Sequence, residues 1–449
     1  MSAGYGVVVL AAGQGTRMRS KLPKVAHLVV GKPMICHIVD AALALQPERV
    51  AVVVGFGKDA VMAALGERHL TFVEQTVLAG TADAVARCRE AMAGCRQVLV
   101  LNGDSPLVTT ELLARLAHAS DGAAMSLVGC MVQDPLRMGI VERDPDSGNV
   151  QGIREYGEYA YHGGPIEINA GQYCFDANWL WANIGNVKKS AKGEYYLTEL
   201  TGMAIAQGRR VAAISGEAEE VLGVDDRVRL AETEQVARAR ILRRHMLGGV
   251  TIVDPASTYI DADVELGEDV VIYPQTHLYG TTAVAGNTKI GPGAVIRSSR
   301  IGPDCVIQSA VIEDSELGTG VKVGPFCHVR GKAKLGDGCE LGTYAEVKNS
   351  NIGAGVKMHH FSYMGDADIG AAANIAAGAI TCNFDGVRKH RTVIGERAFI
   401  GCDTMLVAPV TIGDDAFTAS GAVVIRDVAA GERVAGVPAK PLPRKQSGG

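Results

Sequence analysis

The chain has 449 residues, too long for a single hydrophobic core, so two or more domains are expected. Its net charge of -5 comes with no basic block, which removes any electrostatic case for nucleic acid or an anionic membrane as partner. Ten cysteines, none in a C-x-x-C pair, speak against a zinc site or disulfide framework and for reduced, buried thiols; with no cationic leader before the short run VVVLAA, a cytoplasmic location is expected.

From residue 1 to 228, β-branched runs (YGVVVLAAG, RVAVVVGFG, QVLVLNGD) alternate with helical stretches such as TADAVARCREAMAG and TTELLARLAHAS. This alternation predicts crossover units and a largely parallel sheet with helices on both faces, whose ligands sit beyond the carboxyl ends of the strands. The first strand runs into LAAGQGTRMRSKLPK, Leu10 to Lys24. Gly13 and Gly15 let backbone N-H groups approach a phosphate closely, while Arg17 and Lys24 can neutralise a triphosphate. Further along, Asp104 ends a strand and Asp225 lies in VLGVDDR; two carboxylates converging on bridging phosphates are a suitable pair for Mg²⁺.

The string G-x-G-T-R-M followed by P-K resembles the nucleoside-diphosphate-sugar pyrophosphorylases, whose domain is of the α/β Rossmann-like nucleotidyltransferase class. The resemblance implies that Leu10, Ala11, Ala12, Gly13, Gly15, Lys24, Gln75, Gly80 and Thr81 surround the nucleotide, UTP. It also implies that Asn102, Asp104, Gly139, Glu155, Asn169 and Asp225 line the sugar-phosphate site. The implied reaction is in-line attack of a sugar phosphate on the α-phosphorus, assisted by Arg17, Lys24 and the metal, with no protein nucleophile.

Residues 229–249, free of glycine until their end and rich in helix formers, predict a linking helix. From 250 to 441 an aliphatic residue recurs every six positions: Leu317, Val323, Val329, Leu335, Leu341 and Val347, then, after one-residue slips, Ile352, Met358, Met364, Ile369 and Ile375. Three sixes make one turn of a triangular solenoid, a hexapeptide-repeat parallel β-helix. About seven extra residues before Ile394 predict that TCNFDGVRKHRT leaves the coil as a loop, and residues 442–449 read as a flexible tail.

Coil arithmetic stacks Arg330 on Lys348 and Glu346 on Tyr363, one turn apart and about 4.8 Å in spacing. Like charges so placed are destabilising unless an anion lies between them, so a phosphate is expected there. His360 falls on the coil position that Ala377 occupies one turn later.

The stretch HHFSYMGDADIG, with AEVKNS before and NIAAGAITCNFDG after it, is similar to the acetyltransferase half of the bacterial bifunctional enzymes that make UDP-N-acetylglucosamine, and the resemblance spans essentially the whole chain. It implies a left-handed winding, a homotrimer, small-molecule substrates, and acetyl-CoA as co-substrate. By it, His360 is the general base toward glucosamine 1-phosphate and Glu346 supports the imidazolium. Arg330, Lys348, Tyr363 and Asn374 hold the sugar phosphate, and Ala377, Asn383, Phe384, Cys402 and Ser420 line the coenzyme site; Asn383 also helps place the amine, and His359 has only a surface role.

The chain departs from the family's pattern at Asn102, commonly aromatic, and at Met138 and Ile140, commonly tyrosine and arginine, which bears on sugar selectivity. Asp225 replaces a common asparagine, and Gly436 and Cys402 replace a basic residue and a serine near the coenzyme. Two other readings compete: a nucleotidyltransferase whose solenoid only oligomerises, and a scaffold without catalysis. The stacked cations weigh against the first, and the intact Gly13–Lys24 loop with Asp104 and Asp225 against the second.

Overall fold

The computed structural model describes residues 4–441 apart from 136–137, 191–192 and 222, so the expected tail at 442–449 lies outside the described residues. The chain divides into two compact units, Met1–Ala237 and Arg238–Gly449. The boundary falls inside one helix, Arg227–Leu247, which begins and ends two residues earlier than the 229–249 read from composition. No described helix is long and apolar enough to cross a membrane.

The first unit is built on a sheet whose strands lie in the order Val211–Ser215, Met125–Val132, Ile166–Asp176, Gln97–Asn102, Tyr5–Ala11, Arg49–Val54, Thr71–Glu74. Tyr5–Ala11 is central, parallel to both neighbours, with Leu10 opposite Asn102 and Ala11 opposite Val54. Its β-branched run is buried on both faces. Val7 and Val9 pack with Ile35, Ile38 and Leu112 on one side, Val8 with Val85, Leu180 and Leu200 on the other. The expectation of a largely parallel sheet needs one correction: Ile166–Asp176 runs antiparallel to both Gln97–Asn102 and Met125–Val132. The segment TADAVARCREAMAG is also less helical than its composition suggests, since the helix covers only Thr81–Ala86 and turns follow.

The second unit is a parallel β-helix: three sheets of very short strands, each strand pairing with the one a full turn later. Val323, Leu341 and Met358 stack on one inner face, Val329, Val347 and Met364 on the second, Leu335, Ile352 and Ile369 on the third. All nine are between 0% and 4% exposed, so the hexad period is the period of the core. The one-residue slip after Val347 is absorbed by Ser350, buried, whose hydroxyl lies 2.9 Å from the Lys348 carbonyl and 3.1 Å from that of Met364. After Ile380–Cys382 the chain leaves the coil and returns at Thr392–Ile394, and the excursion is closed by an antiparallel bridge between Phe384 and Lys389.

Candidate active sites

In the first unit the glycine-rich segment leaves the carboxyl end of the central strand, where the sheet's parallel strands also end. Gly15 is in the left-handed region at φ 64°, and a Cβ there would fall 2.5 Å from that of Lys24, so the loop folds tightly onto the lysine. The Lys24 ammonium ion-pairs with Asp104 and lies 3.1 Å from Asp225 Oδ1, and Arg17 reaches the same oxygen at 2.9 Å. Burial pulls the Lys24 ammonium down, but Asp104 and Asp225 together outweigh it and leave it above the ordinary lysine value. Because both carboxylates share one ammonium, they are close enough to share a metal ion. Two carboxylates open to substrate oxygens are a donor set that fits Mg²⁺.

Two hollows adjoin this group. One, about 260 Å³, is lined by Leu10, Gly13, Gln75, Gly80, Thr81 and others. Gly80, at φ 113°, lets the chain pass against the Tyr195 backbone, 2.4 Å from where a Cβ would be. The Gln75 amide donates to the Gly80 carbonyl at 3.1 Å and to Asp83 at 2.8 Å. The second hollow, about 240 Å³, shares Leu10 and Thr81 and adds Asn102, Met138, Gly139, Glu155 and Asn169. Here Glu155 accepts the Thr198 hydroxyl at 2.7 Å, and Asn169 donates to the Tyr173 hydroxyl at 2.6 Å while accepting the Gly171 N-H at 3.2 Å. Asn102 and Met138 also line a larger cavity of about 1000 Å³ with Arg17, Asp104, Asp225 and three tyrosines, Tyr156, Tyr159 and Tyr161. Most of the residues read as nucleotide, sugar and metal groups thus line hollows linked by shared residues, while Ala11, Gly15 and Lys24 lie outside these linings.

On the solenoid, Arg330 pairs with Lys348 and Glu346 with Tyr363 in register. The Tyr363 ring lies over Gly365, where a Cβ would be 2.3 Å from its hydroxyl. One expectation needs correction. Glu346 is engaged by Arg330, its Oε1 accepting from Nε at 3.1 Å and from Nη2 at 2.6 Å, rather than by His360. His360 is exposed and has no hydrogen-bond partner among the described residues, whereas His359 pairs with Glu340 at 2.8 Å. Asn383 is buried and donates to Asp366 at 2.5 Å; Phe384, Cys402 and Ser420 are exposed, and Asn374 and Ala377 are half-buried.

Sequence reasoning missed Lys389. The loop folds this lysine back beside Lys348, and that contact and charge, with burial and Arg330 adding and Asp366 opposing, hold Lys348 below the ordinary lysine value. Three cations therefore gather on one face, with Glu346 paired to Arg330. The available signal was RKHR in the predicted loop, but nothing in its spacing says which cation turns inward.

Residues 7–137 match the family described as MobA-like NTP transferase domain, and residues 391–426 match the bacterial transferase hexapeptide repeats. The bifunctional protein GlmU of Geobacillus sp. (strain WCH70) is 43% identical over 427 residues, 94% of this chain and 93% of that protein. GlmU of Streptomyces griseus is 43% identical over 434 residues, covering 95% and 90%, and that of Nostoc sp. is 39% identical over 431 residues, covering 94% of each. At such identity over nearly the full length, the chain belongs to the GlmU family of bifunctional proteins and joins a uridylyltransferase and an acetyltransferase of UDP-N-acetylglucosamine synthesis in one polypeptide.

Proposed function

We propose that the solenoid transfers acetyl from acetyl-CoA to the amine of glucosamine 1-phosphate, and that the first unit then passes UMP from UTP to the N-acetylglucosamine 1-phosphate, with release of pyrophosphate. In the solenoid, Arg330, Lys348 and Lys389 hold the phosphate with Tyr363 beside them, and Asn374 helps place the sugar. His360, exposed and uncommitted, takes the proton from the attacking amine. Glu346 reaches this chemistry through Arg330. Ala377, Asn383, Phe384, Cys402 and Ser420 line the path of acetyl-CoA.

In the first unit, Asp104 and Asp225 would hold Mg²⁺, which would neutralise phosphate charge when bound. Backbone N-H groups of the Gly13–Gly15 turn cradle the triphosphate, and Arg17 and Lys24 turn from the carboxylates toward it. Gln75, Gly80 and Thr81 read the base; Asn102, Gly139, Glu155 and Asn169 receive the sugar. The protein acts in the cytoplasm as a homotrimer.

The gathering of Arg330, Lys348 and Lys389 carries this reading, because three neighbouring cations are a liability in a solenoid that only oligomerises. The test is mass-spectrometric product analysis with glucosamine 1-phosphate, acetyl-CoA, UTP and Mg²⁺, each omitted in turn. UDP-N-acetylglucosamine that needs all four is expected; absence of any acetylated product would leave only nucleotidyl transfer.

A further inference from the structure

Asp366 lies where the coil gives way to the loop, and no step above uses it. It is 6% exposed, with its backbone in the left-handed region at φ 51°, which a short polar side chain tolerates. Its carboxylate is gripped from both sides: Oδ1 accepts the Asn349 amide at 2.5 Å and Oδ2 the Asn383 amide at 2.5 Å. Its backbone adds two ties, the N-H donating to the Lys348 carbonyl at 3.0 Å and the carbonyl accepting from the Thr392 N-H at 3.1 Å.

These partners are not scattered. Asn383 begins the excursion and Thr392 ends it, so a single residue fastens both ends of the loop and also the backbone of Lys348. Lys389, inside the excursion, and Lys348 repel each other, and a loop free at its base would carry Lys389 away. Arg391 steadies the returning arm by reaching Asp368 at 2.5 Å, but it is exposed, and an exposed pair of this kind contributes little. A buried carboxylate with both oxygens satisfied is the stronger anchor.

We propose that Asp366 is a positioning residue for acetyl transfer: it pins the 383–391 loop so that Lys389 completes, with Arg330 and Lys348, one clamp for the acceptor phosphate. The inference rests on the acetyltransferase reading of the solenoid. Asp366→Asn keeps the shape, but one oxygen becomes an N-H₂ facing another amide N-H₂, so one grip is lost and a donor is left without an acceptor.

The experiment compares the full-length wild type with Asp366→Asn, Lys389→Ala, the double variant and Asn349→Gly. The Michaelis constants for glucosamine 1-phosphate and acetyl-CoA are measured, together with tryptic cleavage in the loop, which holds Arg388, Lys389 and Arg391. Asp366→Asn is expected to raise the glucosamine 1-phosphate constant about tenfold, to raise that for acetyl-CoA less, since of its lining only Asn383 and Phe384 ride on the loop, and to quicken loop cleavage. Adding Lys389→Ala should then cost little more, because the two act through one clamp.

An unchanged glucosamine 1-phosphate constant, or fully additive effects, would overturn the proposal. If Asp366→Asn does not fold, Asn349→Gly carries the test, since glycine suits the backbone at φ 48° and removes one grip. A rise of about threefold is expected there, and no rise overturns the proposal. A wild type that acetylates nothing overturns the underlying reading itself, which distinguishes that failure from this one.

Discussion

Lys24→Met tests the electrostatic centre of the first unit. The side chain is 15% exposed and sits on Asp104, 21% exposed, and Asp225, 42% exposed; methionine preserves its packing against Gly15 and removes only the charge. At 3.1 Å the attraction to Asp225 is on the order of 5 kcal/mol before solvation, taking an effective dielectric of about 20. Breaking a fully buried pair costs about 3–5 kcal/mol, and the exposure of Asp225 discounts this to about 2 kcal/mol. Both tryptophans, Trp179 and Trp181, lie in this unit, so urea unfolding followed by their fluorescence reads it selectively. With a slope of roughly 2.5 kcal/mol/M the midpoint should fall by about 0.8 M. The folded-state pKa of Lys24 lies above its ordinary 10.5, so its stabilisation is complete below that value and is lost as pH rises through the folded-state pKa. The gap between wild type and variant should therefore hold from about pH 7 to 10 and narrow only beyond. A midpoint within about 0.2 M of wild type would refute the claim that Lys24 relieves the repulsion between the two carboxylates.

His360→Ala should abolish CoA release and spare pyrophosphate release from UTP and N-acetylglucosamine 1-phosphate, while Asp104→Asn should do the reverse; loss of both activities in either variant would contradict two independent sites. Lys348 is held low chiefly by Lys389, and in the proposed clamp it acts as a cation. Inhibition of acetyl transfer by N-acetylglucosamine 1-phosphate should thus weaken as pH rises, beginning below the ordinary lysine value, and Lys389→Ala should move that loss to higher pH; identical profiles would remove the coupling. Cys402 is the exposed thiol among the ten, while burial pushes Cys88 and Cys174 up to about 12. A thiol reagent should modify Cys402 first, and acetyl-CoA should slow it; equal rates with and without the coenzyme would place Cys402 outside its path.

Much of the solenoid was legible in the sequence, because its order is local and periodic. An aliphatic residue every sixth position with three sides per turn places Arg330 on Lys348 and Glu346 on Tyr363 by counting alone, and the slip at Ser350 and the excursion before Ile394 show as breaks in that count. The first unit was legible as a class of fold, since β-branched runs bury both faces of a strand, and its glycine-rich turn marks the candidate anion site. What no period encodes is which distant groups meet. Lys24 finds Asp104 across 80 residues and Asp225 across 201, and Ile166–Asp176 enters the sheet antiparallel. Nor does counting decide between competing partners: Glu346 goes to Arg330 rather than His360, and Lys389 rather than its neighbours turns toward Lys348. Repetition propagates a contact from one coil to the next, so sequence alone determined the stack. The choice among charges turns on ångström differences in reach and burial, which only the folded chain sets.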